Sequence, residues 1–439
     1  MKTLEDLRTA VRDSFWAVPA VTVLIAVLLA LTMIEIDQVF DHNTLAAWPR
    51  LFGAGAAGSR GMLSAIAGSM ITVAGVVFSV TIVALSLASS QYTSRVLRNF
   101  MRDRSNQMVL GVFVGIFAYC LVVLRTIRGG DEGAFVPGLA VLFAVALAFA
   151  GIGVLIFFIH HIGTSIQASH IIAAVANDTL AAVDHLFPEI GVPLDEAEEV
   201  ATAAEDRAAR AVPSLHTGYV QRVSVDALLE VARVRHTIVR MECGVGAFVI
   251  EGAPIASLVG IEGSDGIDPD AVRRINAAYT LGRQRTVDQD ARYGIRQLVD
   301  VALKGLSSGI NDVTTAVMCV DYLTEILVRL SGRQLGSPLR SESGELRVMV
   351  WRPTYADFVA DTFDQIRQNA EGNVAMLRRL LESLETLSDV TTSGCRRRAL
   401  LRQSEAVTEV IARSVASPID RGALESYAAR VSQALNEGL

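Results

Sequence analysis

Between Met62 and Gln91 the chain carries no charge, yet every seventh residue along one line is small or hydroxylic: Ala65, Thr72, Ser79 and Ser86, flanked by Gly68, Gly75 and Ser89. At 3.6 residues per turn, spacings of three and four stay on one side of a helix. The segment therefore presents a seam of hydroxyls and bare backbone beside leucine, valine and isoleucine. Two chemistries fit it. The Ser and Thr oxygens can replace part of an ion's hydration shell along a watery path, or the small side chains can let a neighbouring helix approach closely in lipid. Thr72, Ser79 and Ser86 are the candidate pore-lining residues.

The second concentration of polar groups is Gly305-Leu-Ser-Ser-Gly-Ile-Asn-Asp-Val-Thr-Thr-Ala316. It contains G-x-S-x-G centred on Ser307, the pattern of a hydrolase nucleophile elbow. That chemistry is excluded because the preceding residues read as helix rather than strand, and no histidine follows His236 to complete a triad. A helix ending at Lys304 or Gly305, a glycine-permitted bend and a new helix capped by Asn311 or Asp312 account for the segment structurally. The functional alternative is an ion or small-ligand site built from Asn311, Asp312, Thr314 and Thr315 at a helix N-terminus, joined by Asp288, Asp290 and Asp300. Carboxylates and carbonyls suit Mg²⁺ or Ca²⁺, but no spacing fixes a coordination sphere, so the metal stays unassigned.

Other chemistries are excluded by what is missing. Of 39 Lys+Arg only Lys2 and Lys304 are lysines, and there is no G-x-x-x-x-G-K-[ST] and no H-E-x-x-H, hence no P-loop and no zincin helix. His160, His161 and His170 could titrate or bind metal, but adjacent histidines point in different directions on a helix. Cys120, Cys243, Cys319 and Cys395 form no C-x-x-C pair, which suits reduced thiols. No catalytic residue, no cofactor and no enzymatic activity are expected.

The elements that must carry these residues are set by hydropathy. Hydrophobic residues make up 51% and charged residues 19% of 439, and the apolar excess lies before residue 160. Phe15–Ile34, Met62–Leu87, Met108–Leu124 and Phe135–Ile159 each approach the roughly 20 residues that cross a bilayer. Basic residues near the span ends orient them: Lys2, Arg8, Arg12, Arg95, Arg98, Arg102 and Arg104 on one side, Arg50, Arg60, Arg125 and Arg128 on the other. Seven against four places both termini in the cytoplasm, with Arg95–Arg104 at an anionic leaflet. From Gly133 to Asn177 there are 45 residues without formal charge. As one helix they would reach about 68 Å, a stalk that needs protein around it in an oligomeric or interdomain bundle.

Beyond the stalk, Asp195–Arg210 reads as a solvated helix or linker. Short β-prone runs follow, Gly218–Val223, Thr237–Met241, Ala247–Ile250 and Ala256–Val259, interrupted by a helical Asp226–Arg233. From Asp268 the chain is mainly helical, with a β-prone Leu346–Trp351 and long amphipathic helices over Tyr355–Leu387, Arg396–Ser414 and Arg421–Leu435. The expected divisions are a four-span membrane domain (1–160), a helical stalk and linker (161–213), a small β-rich module (214–264) and a mainly helical domain (265–439). Up to Ile159 there are 11 Lys+Arg and 9 Asp+Glu, leaving 28 of 39 basic and 37 of 46 acidic residues in the tail. That acidic tail excludes a nucleic-acid partner, whose phosphates need basic neutralisation.

Four stretches carry a resemblance to a known family. They are Ser79–Gln107, His216-Thr-Gly-Tyr-Val-Gln221, Gly246-Ala-Phe-Val-Ile-Glu-Gly-Ala-Pro-Ile255, and Gln289-Asp-Ala-Arg-Tyr-Gly-Ile-Arg-Gln-Leu-Val-Asp300 leading into Gly309-Ile-Asn-Asp312. Over most of its length the chain resembles the bacterial membrane proteins of domain-of-unknown-function family 2254. It departs from the family pattern at Ser308 and Val313, where prolines are commoner, which implies a looser bend. The resemblance implies four transmembrane helices followed by a cytoplasmic α+β domain rich in helices, in a bacterial inner membrane. It implies no activity. The seam and the overlong uncharged helices point to a homo-oligomeric channel or pore-like protein with a cytoplasmic vestibule or gate, its partners being itself, the bilayer and ions. The alternative is a non-conducting membrane-anchored scaffold or ligand sensor.

Overall fold

The four apolar stretches fold as helices long enough to cross a hydrocarbon core: α1 (Ala17–Val39), α2 (Ala56–Gln91), α3 (Arg104–Thr126) and α4 (Gly138–Ser165). The structure is a computed structural model, and it describes residues 16–39, 55–91, 104–128, 135–165, 167–189, 209–260, 267–287, 289–335, 339–342 and 345–437. Lys2, Arg8, Arg12, Arg50, Arg95, Arg98, Arg102, Asp288 and nearly all of the Asp195–Arg210 linker lie outside the described residues. The chain divides into two compact units, Met1–His170 and Ile171–Leu439.

In the first unit α3 packs against α1 and α2 and is the most buried of the spans. Small residues make that possible: a Cβ at Gly111 would lie 3.0 Å from Pro19 Cα, and one at Gly115 would lie 3.3 Å from Ala26 Cβ. Bare backbone thus brings α1 and α3 together side by side. α2 buries Leu63, Ala67, Met70, Ala74, Val77, Thr81 and Ala84, spaced alternately by four and three along one line. Polar groups then tie the helix ends. Asp37, buried near the end of α1, accepts from Leu139 N at 3.0 Å and Ala140 N at 2.9 Å, so it caps the start of α4 from another span. Tyr119 Oη donates to Ala140 O at 2.9 Å, and Arg60 Nη2 donates to Ile127 O at 2.8 Å.

The uncharged stalk is not one rod. α4 has 28 residues and ends at Ser165, and a separate 19-residue helix, α5 (Ala168–Leu186), begins after a turn in which Gln167 N donates to Thr164 O. Gly163, Thr164 and Ser165 explain the break. Glycine is a weak helix former, and Thr164 Oγ1 donates to the carbonyls of His160 and His161, so hydroxyls compete locally with the backbone.

The second unit, which takes α5 from Ile171 onward, combines two sheets with a helical bundle. Its strands are β1 (Ala209–Pro213), β2 (Gly218–Val223), β3 (Ile238–Met241), β4 (Phe248–Val249), β5 (Pro254–Val259), β6 (Tyr279–Gly282), β7 (Leu339–Glu342) and β8 (Glu345–Met349). They form a five-stranded sheet in the order β1-β5-β3-β8-β7 and a three-stranded sheet β4-β2-β6. The β3–β8 pairing is parallel, with Val239 opposite Val348. α6 (Val225–Val234) and α7 (Pro269–Ala278) cover a core that includes Val220, Leu228, Val239, Ile255, Leu258, Ile275 and Val348. The β-rich module therefore does not close at 264. β6, β7 and β8 complete the two sheets, and of these β8, the parallel partner of β3, requires a long crossover.

The connection from β3 to β8 includes α8 (Ala291–Leu306) and α9 (Val313–Ser331), and the bundle continues with α10 (Tyr355–Asn369), α11 (Val374–Val390), α12 (Gly394–Ser414) and α13 (Pro418–Glu437). The single helix expected over Tyr355–Leu387 is two. Gly372 has φ +71 and Asn373 caps α11 by accepting from Met376 N, which ends one helix and starts the next within four residues.

Candidate functional site

The hydroxyl seam of α2 lies on the side of the helix away from its buried line. Thr72, Ser79 and Ser86 are exposed, as are Ala65, Gly68 and Gly75, and a Cβ added at Gly61, Gly68 or Gly75 would meet nothing within 4 Å. By helical geometry the seam sits about 160° round from Leu63. No described residue of the chain covers it. Thr72 Oγ1 donates to Gly68 O at 2.8 Å, Ser79 Oγ to Gly75 O at 2.9 Å and Ser69 Oγ to Ala65 O at 2.8 Å. Each hydroxyl proton is thus spent inside the helix, and what faces outward is oxygen lone pairs.

The 305–316 segment is a tight helix-to-helix bend. Ser307 caps the C-terminus of α8, with its hydroxyl donating to Lys304 O at 2.6 Å, so a helix precedes the serine and the elbow geometry is absent. Asn311 N donates to Ser307 O and Asp312 N to Gly305 O, both at 2.8 Å. Asn311 takes φ 51, a left-handed conformation that asparagine tolerates better than most residues. Asp312 caps α9, accepting from Thr315 N at 3.0 Å and from Thr315 Oγ1 at 2.5 Å. Those two bonds hold its carboxyl below the usual carboxylate range. Thr314 is exposed and Thr315 half-buried in the first turn. Val313 occupies the first helical position, the place where a proline fits without loss.

Asp290 and Asp300 do not join that turn. Asp290 caps the opposite end of α8, about 22 Å away along a helix of that length, and Asp300 is paired with Arg296 at 2.5 Å. Among the described residues no group of three or more His, Cys, Asp or Glu is placed to hold a metal ion. His161 stacks on Phe157 and lies 3.3 Å from Ser165 Oγ.

The Gln289–Asp300 segment emerges instead as a junction. Gln289 Oε1 accepts from Val223 N at 3.1 Å. Arg285 grips Asp290 through Nε at 2.8 Å and Nη2 at 3.0 Å. Burial pushes the Asp290 carboxyl above the ordinary range, and the Arg285 guanidinium opposes that shift. Arg292 forms a two-bond pair with Asp361 of α10, at 2.5 and 2.9 Å, which raises its own pKa. Arg296 reaches Gln365 at 2.7 Å, and Gly294 lies against Thr179 of α5, where a Cβ would come within 1.9 Å of Oγ1. Gly246 belongs to the same junction, with φ +88 and a prospective Cβ 2.5 Å from Asp290 Oδ2. One side of α8 thus joins a strand, two helices and a glycine turn. Asp37, Arg285 and Gly246 escaped the sequence reading as functional parts.

Four membrane-crossing helices followed by a helix-rich domain with two sheets define an integral membrane protein of mixed architecture. The chain belongs to the family described as Predicted membrane protein (DUF2254), whose model matches residues 12–386. Its relatives include uncharacterised proteins of Mycobacterium tuberculosis (strain H37Rv) and Mycobacterium bovis. Each is 35% identical over 385 residues, covering 85% of this chain and 72% of the relative. No solved structure matches.

Proposed function

We propose that this protein is a homo-oligomeric, pore-like channel of the bacterial inner membrane, in which α2 of each copy turns its hydroxyl seam toward a shared axis. One observation carries this reading: the Thr72–Ser79–Ser86 face points away from the buried line of α2 and is covered by no described residue. A small-residue face of this kind lets helices from sister copies approach. With the Thr72 and Ser79 protons bonded backward, those two positions offer acceptor oxygens, which favour cations over anions. Asn311, Asp312, Thr314 and Thr315 are then the candidate regulatory site of the tail, with both termini cytoplasmic.

Native mass spectrometry in nanodiscs gives the protomer count, and potassium flux from liposomes gives conduction. Ser79→Leu is expected to keep the oligomer and abolish flux. A lone protomer in both detergent and nanodiscs overturns the reading. The back-bonding of Thr72 and Ser79 to carbonyls four residues earlier favours a second one, a non-conducting scaffold with the seam as packing surface. In that case Ser79→Leu breaks the oligomer and the wild type passes no ion.

A further inference from the structure

The junction around Asp290 also walls a pocket of about 150 Å³ within the second unit, and eleven of the fifteen residues lining it are apolar. Its aromatic surface is already ordered: Phe187 meets Phe358 edge-on at 5.9 Å, and both rings are buried. Trp351 stands on the wall with 41% of its surface exposed. It fits there because residue 244 is glycine, whose Cβ would fall 1.8 Å from the indole. A ring entering the pocket therefore meets preorganised aromatic surface, which lowers the cost of binding.

Each charged side chain of the lining, Asp290, Arg292 and Arg352, already has a partner in the protein. Both Asp290 oxygens accept from Arg285, and Arg292 forms its two-bond pair with Asp361. Arg352 lies 5.9 Å from the centre of the Phe187 ring and has a further partner of its own. Gln289, the fourth polar residue of the lining, is uncharged, and its oxygen accepts from Val223 N. An ion that enters gives up water and meets no countercharge in need of a partner, so its desolvation goes uncompensated. A neutral body has no such loss and removes apolar wall from water. A cavity of about 150 Å³ takes up one benzene-sized ring.

We propose that this pocket is a binding site for a neutral molecule built on a single ring, held against Phe187, Phe358 and Trp351, and that it discriminates against carboxylates and amines of the same shape. The site lies within the second unit and is independent of whether α2 lines a pore. A ligand of about nine heavy atoms is expected to bind in the millimolar to high-micromolar range.

The test uses the full chain in nanodiscs with Trp16→Phe and Trp48→Phe, so that Trp351 is the single tryptophan. Three probes share one ring and differ in charge: benzamide is neutral, benzoate negative and benzamidine positive. Benzamide is expected to change the Trp351 fluorescence saturably and to bind at least tenfold more tightly than either ion. Val245→Phe and Leu186→Phe, which fill the cavity from two walls, are each expected to remove the response. Binding of either ion as tight as that of benzamide, no saturable response to benzamide, or an unchanged benzamide affinity in both filled variants each overturn the proposal. The three probes are compared on the parent chain, so that comparison decides even where a filled variant does not fold. Saturation-transfer NMR on benzamide, with empty nanodiscs as the blank, reads the same binding without relying on Trp351, and the same outcomes apply.

Discussion

Two aspartates do the same chemical job at different ranges. Asp312 caps the helix that follows it, bonding a residue three positions on, whereas Asp37 caps a helix that starts 101 residues later and belongs to another span. A buried N–H left without an acceptor costs about 1–3 kcal/mol, so Asp37→Leu, which strands two of them, is expected to lower markedly the temperature at which the detergent-solubilised protein loses its monodisperse form. Asp37→Asn keeps an acceptor and is expected to fall between. Equal stability of Asp37→Leu and wild type would refute the cap. At Asp312 the loss is local: Asp312→Ala removes about 1 kcal/mol of capping, seen as faster hydrogen exchange confined to the first turn of α9. The pH sign follows from the lowered carboxyl. A carboxylate favoured in the folded state stabilises fully above its unfolded value near 3.9, and that contribution disappears as pH falls through the lower folded value. Protection of the Thr315 amide is therefore expected to stay level at neutral pH and drop below about pH 4, while Asp312→Asn, a good cap without a titrating proton, shows no such drop.

At the scale of elements, α8 is the piece that other pieces are keyed to. Gly294→Ala would ordinarily favour a helix by about 1 kcal/mol. Here the new Cβ would sit 1.9 Å from Thr179 Oγ1 and 2.8 Å from its Cβ, an overpacking that costs about 1–3 kcal/mol. The expected net result is reduced exchange protection in both α5 and α8, partly restored by Thr179→Ala, which removes the nearer atom. Independence of the two substitutions in a double-mutant cycle would show that the helices do not meet there. What the sequence reveals about elements follows from range. The four spans, β2, β3, β5, α6, α8 and α9 are local patterns and were legible. The parallel pairing of β8 with β3 joins residues more than 100 positions apart, and nothing in either strand announces it. The separation of α4 from α5 and the break at 370–373 depend on two or three residues inside long apolar periods, which a window of eleven or more averages away. The Asn311–Asp312 turn was legible as a cap because capping is local. The Arg285–Asp290–Gly246 cluster was not, since two segments separated in sequence build it.

For the whole molecule the deciding quantity is charge along the chain. In the proposed topology four spans return the chain to the side on which it starts, and the seven-to-four excess of basic residues assigned to that side would make it the cytoplasm under the positive-inside rule. The chain carries its own reporter. Among its four cysteines Cys120 and Cys319 are buried, Cys243 is partly buried and Cys395 is exposed in the second unit. In a Cys243→Ala background, a membrane-impermeant maleimide is expected to leave Cys395 unmodified in intact spheroplasts and to modify it after lysis. Gly55 is exposed at the start of α2, and in the proposed topology it faces the other side of the membrane. Gly55→Cys is therefore expected to react before lysis. The reverse pattern would place the acidic tail outside the cell and remove the cytoplasmic setting of the proposed pore. Modification of both positions in intact spheroplasts would contradict an even span count itself. Because the rule depends on arginines close to the membrane ends, neutralising Arg95, Arg98 and Arg102 together removes three of the seven. That change is expected to produce a mixed labelling pattern without altering the folded second unit.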